Sequence, residues 1–127
     1  MAVGDLSIEI LMTPGHSPGG CCYRLGNDLF TGDTLFVYGC GRCDLAGSDP
    51  GSMFRSLRKL AERIADPVIV HPGHRYAAAA STTMAEQRRG NPFLHFDDED
   101  AFVAFRAEHN RHRLPPYGPV PRGQPAW

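Results

Sequence analysis

Residues 53–74, MFRSLRKLAERIADPVIVHPGH, predict a helix, a strand and a loop in direct succession. The apolar positions at helical spacing are Met53, Leu57, Leu60 and Ile64. They predict an amphipathic helix that ends near Ala65, because the following Asp66-Pro67 pair disfavours helical backbone. Residues 68–70 are all apolar and predict a strand buried on both faces. A helix that leads directly into a buried strand predicts α/β layering.

Toward the N-terminus, short runs of apolar and alternating residues predict three more strands. These strands cover residues 6–12, 21–25 and 29–31. Residues 26–28, Gly-Asn-Asp, predict a hairpin turn between the second and third of them. Residues 37–51 are predicted to form a glycine-rich loop, and Asp49 or Ser52 is predicted to cap the helix that follows.

Toward the C-terminus, the pattern predicts two helices, over residues 81–89 and 98–110. Residues 114–127 contain five prolines and no periodicity, so we expect an extended tail after a single domain of residues 1–113. Together these elements predict one mixed sheet with outer helices. Helices on only one face would leave the other face of the sheet apolar and exposed, which implies a partner layer.

Composition limits the classes of function. The chain has 127 residues, a net charge of −1 and 42% hydrophobic residues, so no basic excess points to nucleic acid. No apolar run approaches the roughly 20 residues that span a bilayer. The first five residues lack the features of a signal peptide, and four cysteines without such a signal favour a reduced, cytoplasmic setting.

Three loops follow predicted strands and end in a side chain that can bind a metal ion. They are Thr13-Pro14-Gly15-His16, Thr31-Gly32-Asp33 and His71-Pro72-Gly73-His74. Loops at the C-terminal ends of strands converge at one edge in layered α/β proteins. Imidazole and carboxylate together suit zinc, iron or manganese, and a carboxylate can bridge two metals. Spacing alone leaves open whether these residues bind metal or only form turns.

The order of these loops carries a resemblance to a known family. The runs TPGHSPGG (13–20), FTGDTLF (30–36) and HPGHRY (71–76) resemble the three later signature motifs of the metallo-β-lactamase superfamily. FTGDTLFVYGCGRCD (30–44) is most similar to the branch of glyoxalase II and persulfide dioxygenase. The resemblance implies an α/β fold, as half of an αββα sandwich with one mixed sheet and outer helices.

The resemblance also implies roles for individual residues. His16 is the implied ligand of a first metal, Asp33 the bridging carboxylate and His74 the ligand of a second metal. The implied cofactor is zinc, as one or two ions, with iron as the alternative. Arg42 and Tyr76 are implied to contact the substrate, Arg42 by holding a carboxylate. His71 is not at a ligand position of the family.

The chain departs from the family in one respect, because it has no His-x-His-x-Asp-His run. We therefore expect the metal sites to be incomplete without an N-terminal half, supplied by a separate chain or replaced by a second copy of this one. His109 and His112 do not match the missing motif and are interpreted as a polar helix end. A rival Cys₄ zinc site is disfavoured by the adjacency of Cys21 and Cys22.

Three functions remain as hypotheses. The first is a metal-dependent hydrolase that attacks a thioester or ester of a small molecule, active when the missing half is present. The second is an iron-dependent oxygenase similar to persulfide dioxygenase. The third is a non-catalytic truncated or interaction subunit. The short C-terminal region argues against glutathione as the specific substrate, because glyoxalase II has a helical domain there.

Overall fold

The computed structural model describes residues 2–112 and 114–124, with side chains described up to Glu108 in the last helix. The side chains of His109 and His112 therefore lie outside the described residues. Nine strands are described: β1 Ala2–Val3, β2 Leu6–Ser7, β3 Glu9–Met12, β4 Cys21–Leu25, β5 Asp28–Gly32, β6 Leu35–Phe36, β7 Gly39–Cys40, β8 Ile69–Pro72 and β9 Thr82–Thr83. The helices are α1 Pro50–Arg63, α2 Met84–Gly90 and α3 Glu99–His112, with a 3₁₀ turn at Pro92–Leu94.

The main sheet is mixed and has the strand order β3-β4-β5-β8-β9. Strands β3, β4 and β5 form an antiparallel meander, β5 and β8 pair in parallel, and β9 is antiparallel to β8. Helix α1 lies in the crossover that connects β5 to its parallel neighbour β8, and a parallel pair requires such a crossover. The mixed sheet with outer helices confirms the α/β fold expected from the sequence.

The core lies between one face of this sheet and the helices. Its members are Leu11, Cys22, Leu29, Leu35, Cys40, Met53, Phe54, Leu57, Leu60, Ile64, Val68, Val70, Met84, Phe93 and Phe102. Helices α1 and α3 meet through Phe54 and Phe102, whose ring centroids are 5.6 Å apart. Among the described residues, no helix combines the length and apolar character needed to cross a membrane.

The opposite face of the sheet is apolar and exposed, as the sequence pattern predicts. Ile10, Tyr23 and Phe30 are neighbours across β3, β4 and β5 and point to the same side. Their exposed fractions are 45%, 42% and 44%, and Met12 on the same face is 52% exposed. These side chains form an apolar patch on the open face of the sheet.

Helix α1 begins where its capping residue predicts. Asp49 accepts hydrogen bonds from the backbone N–H of Gly51 (3.1 Å) and the hydroxyl of Ser52 (2.7 Å). Pro50 occupies the first turn, where its missing N–H costs no helical bond. The helix ends at Arg63, two residues earlier than expected, because Ile64 adopts an extended conformation before the Asp66-Pro67 pair.

Three elements differ from the sequence-based expectations. The strand predicted over residues 6–12 is interrupted at Ile8, because residues 6–7 pair with β1 and residues 9–12 pair with β4. The loop predicted over residues 37–51 contains strand β7, which pairs with β6. The helix predicted from residue 81 begins at Met84, because Thr82 and Thr83 pair with β8 as an edge strand.

A buried amide network holds the loop after β6 against α2. Gln87 and Asn91 are both 0% exposed. The Asn91 amide donates to the carbonyl oxygen of Gly39 (3.0 Å), and the Gln87 side-chain oxygen accepts from the backbone N–H of Tyr38 (2.8 Å). The Asn91 amide also donates to Gln87 Oε1 at 2.9 Å. These hydrogen bonds take the place of water at the backbone polar groups of the turn. The turn contains Tyr38, which has a φ of 59°.

The described part of the proline-rich tail, residues 114–124, packs along the rim of the domain without forming a helix. The backbone N–H of Tyr117 donates to the carbonyl oxygen of Tyr76 at 2.7 Å. The backbone N–H of Val120 donates to the carbonyl oxygen of Gly90, also at 2.7 Å, and the Val120 side chain is buried. The tail thus brings Tyr117 next to the loop that follows β8.

Candidate metal centre

The three predicted ligand loops meet at one edge of the sheet because their strands run in the same direction. Strand β3 is antiparallel to β4, β4 is antiparallel to β5, and β5 is parallel to β8. The C-terminal ends of β3, β5 and β8 therefore point the same way. His16, Asp33 and His74 follow these ends and come together there.

Asp33 lies between the two histidines. Its Oδ1 accepts a hydrogen bond from Nδ1 of His74 at 2.6 Å, and its Oδ2 lies 3.5 Å from Nε2 of His16. Each carboxylate oxygen thus faces a different imidazole. In this arrangement one carboxylate can offer an oxygen to each of two neighbouring metal positions.

The orientation of His16 is set by its backbone surroundings. Its Nδ1 lies 2.8 Å from the carbonyl oxygen of Arg42, which can only accept a hydrogen bond, so Nδ1 carries the proton. In the neutral ring Nε2 then has the lone pair, and it faces Asp33. The hydroxyl of Ser48 donates to the carbonyl oxygen of His16 at 2.7 Å and holds the backbone of the loop.

Glycines allow the loops to approach one another. Gly32, the last residue of β5, has a φ of 50°, a conformation that favours glycine, and it turns the chain before Asp33. The backbone N–H of Gly73 donates to the carbonyl oxygen of Gly32 at 2.7 Å. A Cβ atom at Gly73 would lie 3.0 Å from Asp33 Oδ1, so a larger residue there would disturb the carboxylate.

The donor types fit zinc or iron, but the described residues do not complete a site. Among the side chains that the structure describes, those of residues 2–108 and 114–124, no three His, Cys, Asp or Glu side chains surround a single position for a metal ion. His16 and His74 instead form two pairs that share Asp33, and catalytic zinc usually has three protein ligands. Each pair is therefore a half-site that requires further donors.

A cavity of about 320 Å³ opens beside these half-sites. Its lining includes His16, Asp33, Phe36, Cys40, Gly41, Arg42, His74, Tyr76, Arg106, Pro115 and Tyr117. All five residues that the sequence singled out for metal or substrate thus line the same cavity. Arg106 from α3 and Tyr117 from the tail also line it, and no motif or spacing in the sequence indicated either of them.

Aromatic rings form one wall of the cavity. Tyr76 stacks on His74, with ring centroids 5.7 Å apart and planes 14° apart. Phe36 meets Tyr76 edge-on at 5.0 Å, and Tyr117 lies 6.0 Å from Tyr76 on the tail side. This wall fixes the plane of the His74 ring and offers an apolar surface beside it.

Arg42 at the rim is held by an acidic neighbour. Its Nε and Nη2 donate to the two carboxylate oxygens of Asp44, at 2.7 and 2.8 Å. This hydrogen-bonded pair lowers the pKa of Asp44 to about 2 and raises the pKa of Arg42. Between them, burial of the Cys43 thiol raises its pKa to about 11, so Cys43 is a thiol at neutral pH rather than a reactive thiolate.

The remaining candidates lie away from the half-sites. His71 is on the exposed face of the sheet, where its Nε2 contacts Asp28 Oδ1 at 2.8 Å and its ring stacks on Phe30. It is not brought to the ligand edge, in agreement with its expected position. Cys21, Cys22, Cys40 and Cys43 are free thiols, and the described residues contain no cysteine cluster suited to a metal.

Comparison with known proteins places this geometry in a family. Residues 1–74, which end at His74, match the family model described as "Metallo-beta-lactamase superfamily". The probable polyketide biosynthesis zinc-dependent hydrolase PksB of Bacillus subtilis is 33% identical over 111 residues, covering 87% of this chain and 49% of that protein. The chain spans about half the length of the curated relatives it matches.

Solved structures give the same assignment. The crystal structure of ETHE1 from Myxococcus xanthus superposes with a TM-score of 0.79 at 34% identity, covering 87% of this chain and 49% of that one. TTHA1623, solved in a di-iron-bound form, has a TM-score of 0.63 at 38% identity and is covered over 45% of its length, with 74% of this chain aligned. The chain therefore belongs to the metallo-β-lactamase superfamily.

Proposed function

We propose that this chain supplies half of the metal centre of a metal-dependent hydrolase that acts on a thioester or an ester. One contact carries the proposal: Nε2 of His16, which has a lone pair in the neutral ring, and Oδ2 of Asp33 lie 3.5 Å apart. Two electron-rich atoms at this separation attract a cation between or beside them. The zinc-dependent hydrolase named among the relatives supports zinc as that cation.

Asp33 is the proposed bridging ligand, with His16 on the first metal and His74 on the second. Its two oxygens already face the two imidazoles, so binding requires small movements of side chains rather than of the backbone. A bound metal ion supplies an activated water and polarises a carbonyl oxygen. The residues of this chain hold the ion and orient the substrate beside it.

Tyr76 and Arg42 are the proposed substrate contacts in this chain. Tyr76 presents an aromatic surface next to His74, where an acyl group can pack without losing hydrogen bonds to water. Arg42 lies on the rim through which the substrate enters the cavity. Its backbone carbonyl also orients His16, so the loop of Arg42 joins the substrate contact to the metal ligand.

The proposed activity requires a second protein layer. Each half-site has two donors in this chain, and the face of the sheet that includes Ile10, Tyr23 and Phe30 is apolar and exposed. Two sheets that pack face to face bury such surfaces in a layer about 10 Å thick. We propose that the complementary half of the sandwich covers this face, and that it supplies the remaining ligands. An N-terminal half and a second copy of this chain are the two sources to be distinguished.

Metal content measured by elemental mass spectrometry tests the metal ligands directly. We expect zinc or iron to bind the chain mixed with an N-terminal half that carries the His-x-His-x-Asp-His run, and to be lost when the chain carries the double substitution His16→Ala/His74→Ala. His95→Ala is the matched control, because His95 contacts the carbonyl oxygen of Arg88 away from the cavity. Equal metal content in the wild type and the double variant would refute the assignment.

Turnover is tested on the chain mixed with an N-terminal half that carries the His-x-His-x-Asp-His run. Thioester hydrolysis should require both halves and should be lost in His16→Ala. Hydrolysis that is equal in wild type and His16→Ala would contradict the proposal. A folded homodimer that binds no metal would instead identify a non-catalytic interaction subunit.

An iron-dependent oxygenase is the second candidate. It is supported by the di-iron-bound form of the structural relative TTHA1623. His16 and Asp33 are two of the three donors of a two-His-one-carboxylate iron site, which would take its other histidine from an N-terminal half. Oxygen uptake with glutathione persulfide by the iron-loaded complex would favour this activity, and no uptake would exclude it.

A further inference from the structure

The ion pair between Arg42 and Asp44 changes what Arg42 can offer a ligand. A guanidinium holds a carboxylate most strongly through two parallel N–H bonds. In Arg42, Nε and Nη2 already make such a pair of bonds to Asp44, at 2.7 and 2.8 Å. Arg42 lines the cavity, and the side chains of Arg42 and Asp44 are 57% and 47% exposed.

An exposed ion pair contributes little to folding, but it competes directly with a ligand. Asp44 is only two residues from Arg42 and is always present beside it. A substrate carboxylate must displace Asp44 or bind next to it, and the second arrangement places two negative charges on one guanidinium. The repulsion between the ligand carboxylate and the Asp44 carboxylate, both beside one guanidinium, weakens ligand binding by about tenfold.

The second arginine of the cavity does not offset this effect. Arg106 is only 5% exposed, its Nε donates to the carbonyl oxygen of Gly41 at 3.2 Å, and its guanidinium lies 4.9 Å above the ring of Phe93. The charge of Arg106 also acts on Asp44. Arg106 thus has partners of its own within the fold and does not take the place of Arg42 at the entrance.

We propose that Asp44 is a specificity-determining residue: it occupies Arg42 and directs the site toward thioesters or esters whose leaving group has no carboxylate at this rim. Glutathione thioesters, with two carboxylates on the leaving thiol, are thereby disfavoured. The inference rests on the proposed function, since specificity applies to the substrate of that site. Whether Asp44 occupies Arg42 can be measured without a bound metal ion and without substrate turnover.

Binding of glutathione to the metal-free 127-residue chain tests the proposal. A nuclear magnetic resonance titration follows the Arg42 Nε–H signal together with the backbone amides of the cavity. We expect Asp44→Asn to bind glutathione at least about tenfold more tightly than the wild type, with the Arg42 signal shifting on binding. Asp97→Asn is the matched control, because it changes net charge equally at a side chain that is 97% exposed and paired only at 3.9 Å.

Three outcomes would overturn the inference. Equal glutathione affinity in Asp44→Asn and wild type would show that Asp44 does not restrict Arg42. A gain that is the same in Asp97→Asn would assign the effect to net charge alone. A gain that persists in Asp44→Asn/Arg42→Ala would place the binding elsewhere. Metal content of Asp44→Asn is measured in parallel, so failure of the metal site and failure of this inference give different results.

Discussion

Replacing Asn91 with alanine tests whether the loop that carries the cavity wall depends on the buried amide network. The Asn91 amide donates to the carbonyl oxygen of Gly39 (3.0 Å), and its side-chain oxygen accepts from the backbone N–H of Phe93 (3.0 Å). Each buried group that loses such a partner costs about 1–3 kcal/mol. Two of them give about 2–6 kcal/mol, and we expect Asn91→Ala to lower the free energy of unfolding by about 4 kcal/mol.

The control is Asn27→Ala, which removes an exposed asparagine that also donates to a carbonyl oxygen, that of Pro67 at 3.1 Å. Water can replace this exposed bond, so the expected loss is about 1 kcal/mol or less. Urea unfolding followed by circular dichroism measures both variants. Because a domain of this size has a total stability of about 5–15 kcal/mol, the difference between them is easily resolved.

The prediction also has a local readout. Amide hydrogen exchange in the turn of β6 and β7 should become faster in Asn91→Ala than in Asn27→Ala, because that turn loses its attachment to α2. Stability losses that agree within about 1 kcal/mol, with equal exchange in the turn, would refute the reasoning. The network would then be a consequence of the loop conformation rather than its cause.

Three further predictions concern other contacts. Arg88→Met should lower stability by about 2 kcal/mol in urea unfolding, because Arg88 donates to the carbonyl oxygens at the C-terminal end of α1; a loss below about 0.5 kcal/mol would contradict this role. Gly41→Ala should reduce zinc content, since its Cβ would overlap the carbonyl oxygen of Asp33, whereas Gly118→Ala, with open space around it, should retain zinc; equal zinc content would disprove the overlap. The pKa of Glu86 is lowered from 4.5 by the backbone N–H of its capping box, so its contribution to stability is present above pH 4.5 and is lost as pH falls through the lowered value. The urea concentration at the unfolding midpoint should therefore fall less steeply below pH 4.5 in Glu86→Gln than in the wild type. An equally steep fall would show that Glu86 does not contribute to the loss of stability in acid.

Local patterns predicted the elements whose residues decide their own conformation. Helix α1 follows from its apolar spacing, from Asp49 at its start and from Pro67 beyond its end, and all three signals act within a few residues. The exposed face of the sheet also follows from the sequence, because too few helices are predicted to cover both faces.

Elements that depend on distant partners were not predictable in this way. Strand β7 has two residues and exists because it pairs with β6, while the Asn91 network supports the turn between them. Arg106 gave no signal in the sequence, because an arginine on a helix is ordinarily on its solvated face. Its burial against Phe93 depends on how α3 packs on the domain.

By itself, the sequence predicted which side chains are suited to a metal ion, since His16, Asp33 and His74 each end a loop after a strand and lie in the stretch that matches one family. Only the tertiary structure decided that β3, β5 and β8 run in the same direction, so that these side chains meet around one carboxylate. It also decided that the carboxylate of Asp44 occupies Arg42. A motif specifies which chemical group stands at a position in the chain. The meeting of the three ligand loops depends on strand direction, and the pairing of Arg42 with Asp44 depends on loop conformation. Both arise from contacts between residues that are distant in the sequence.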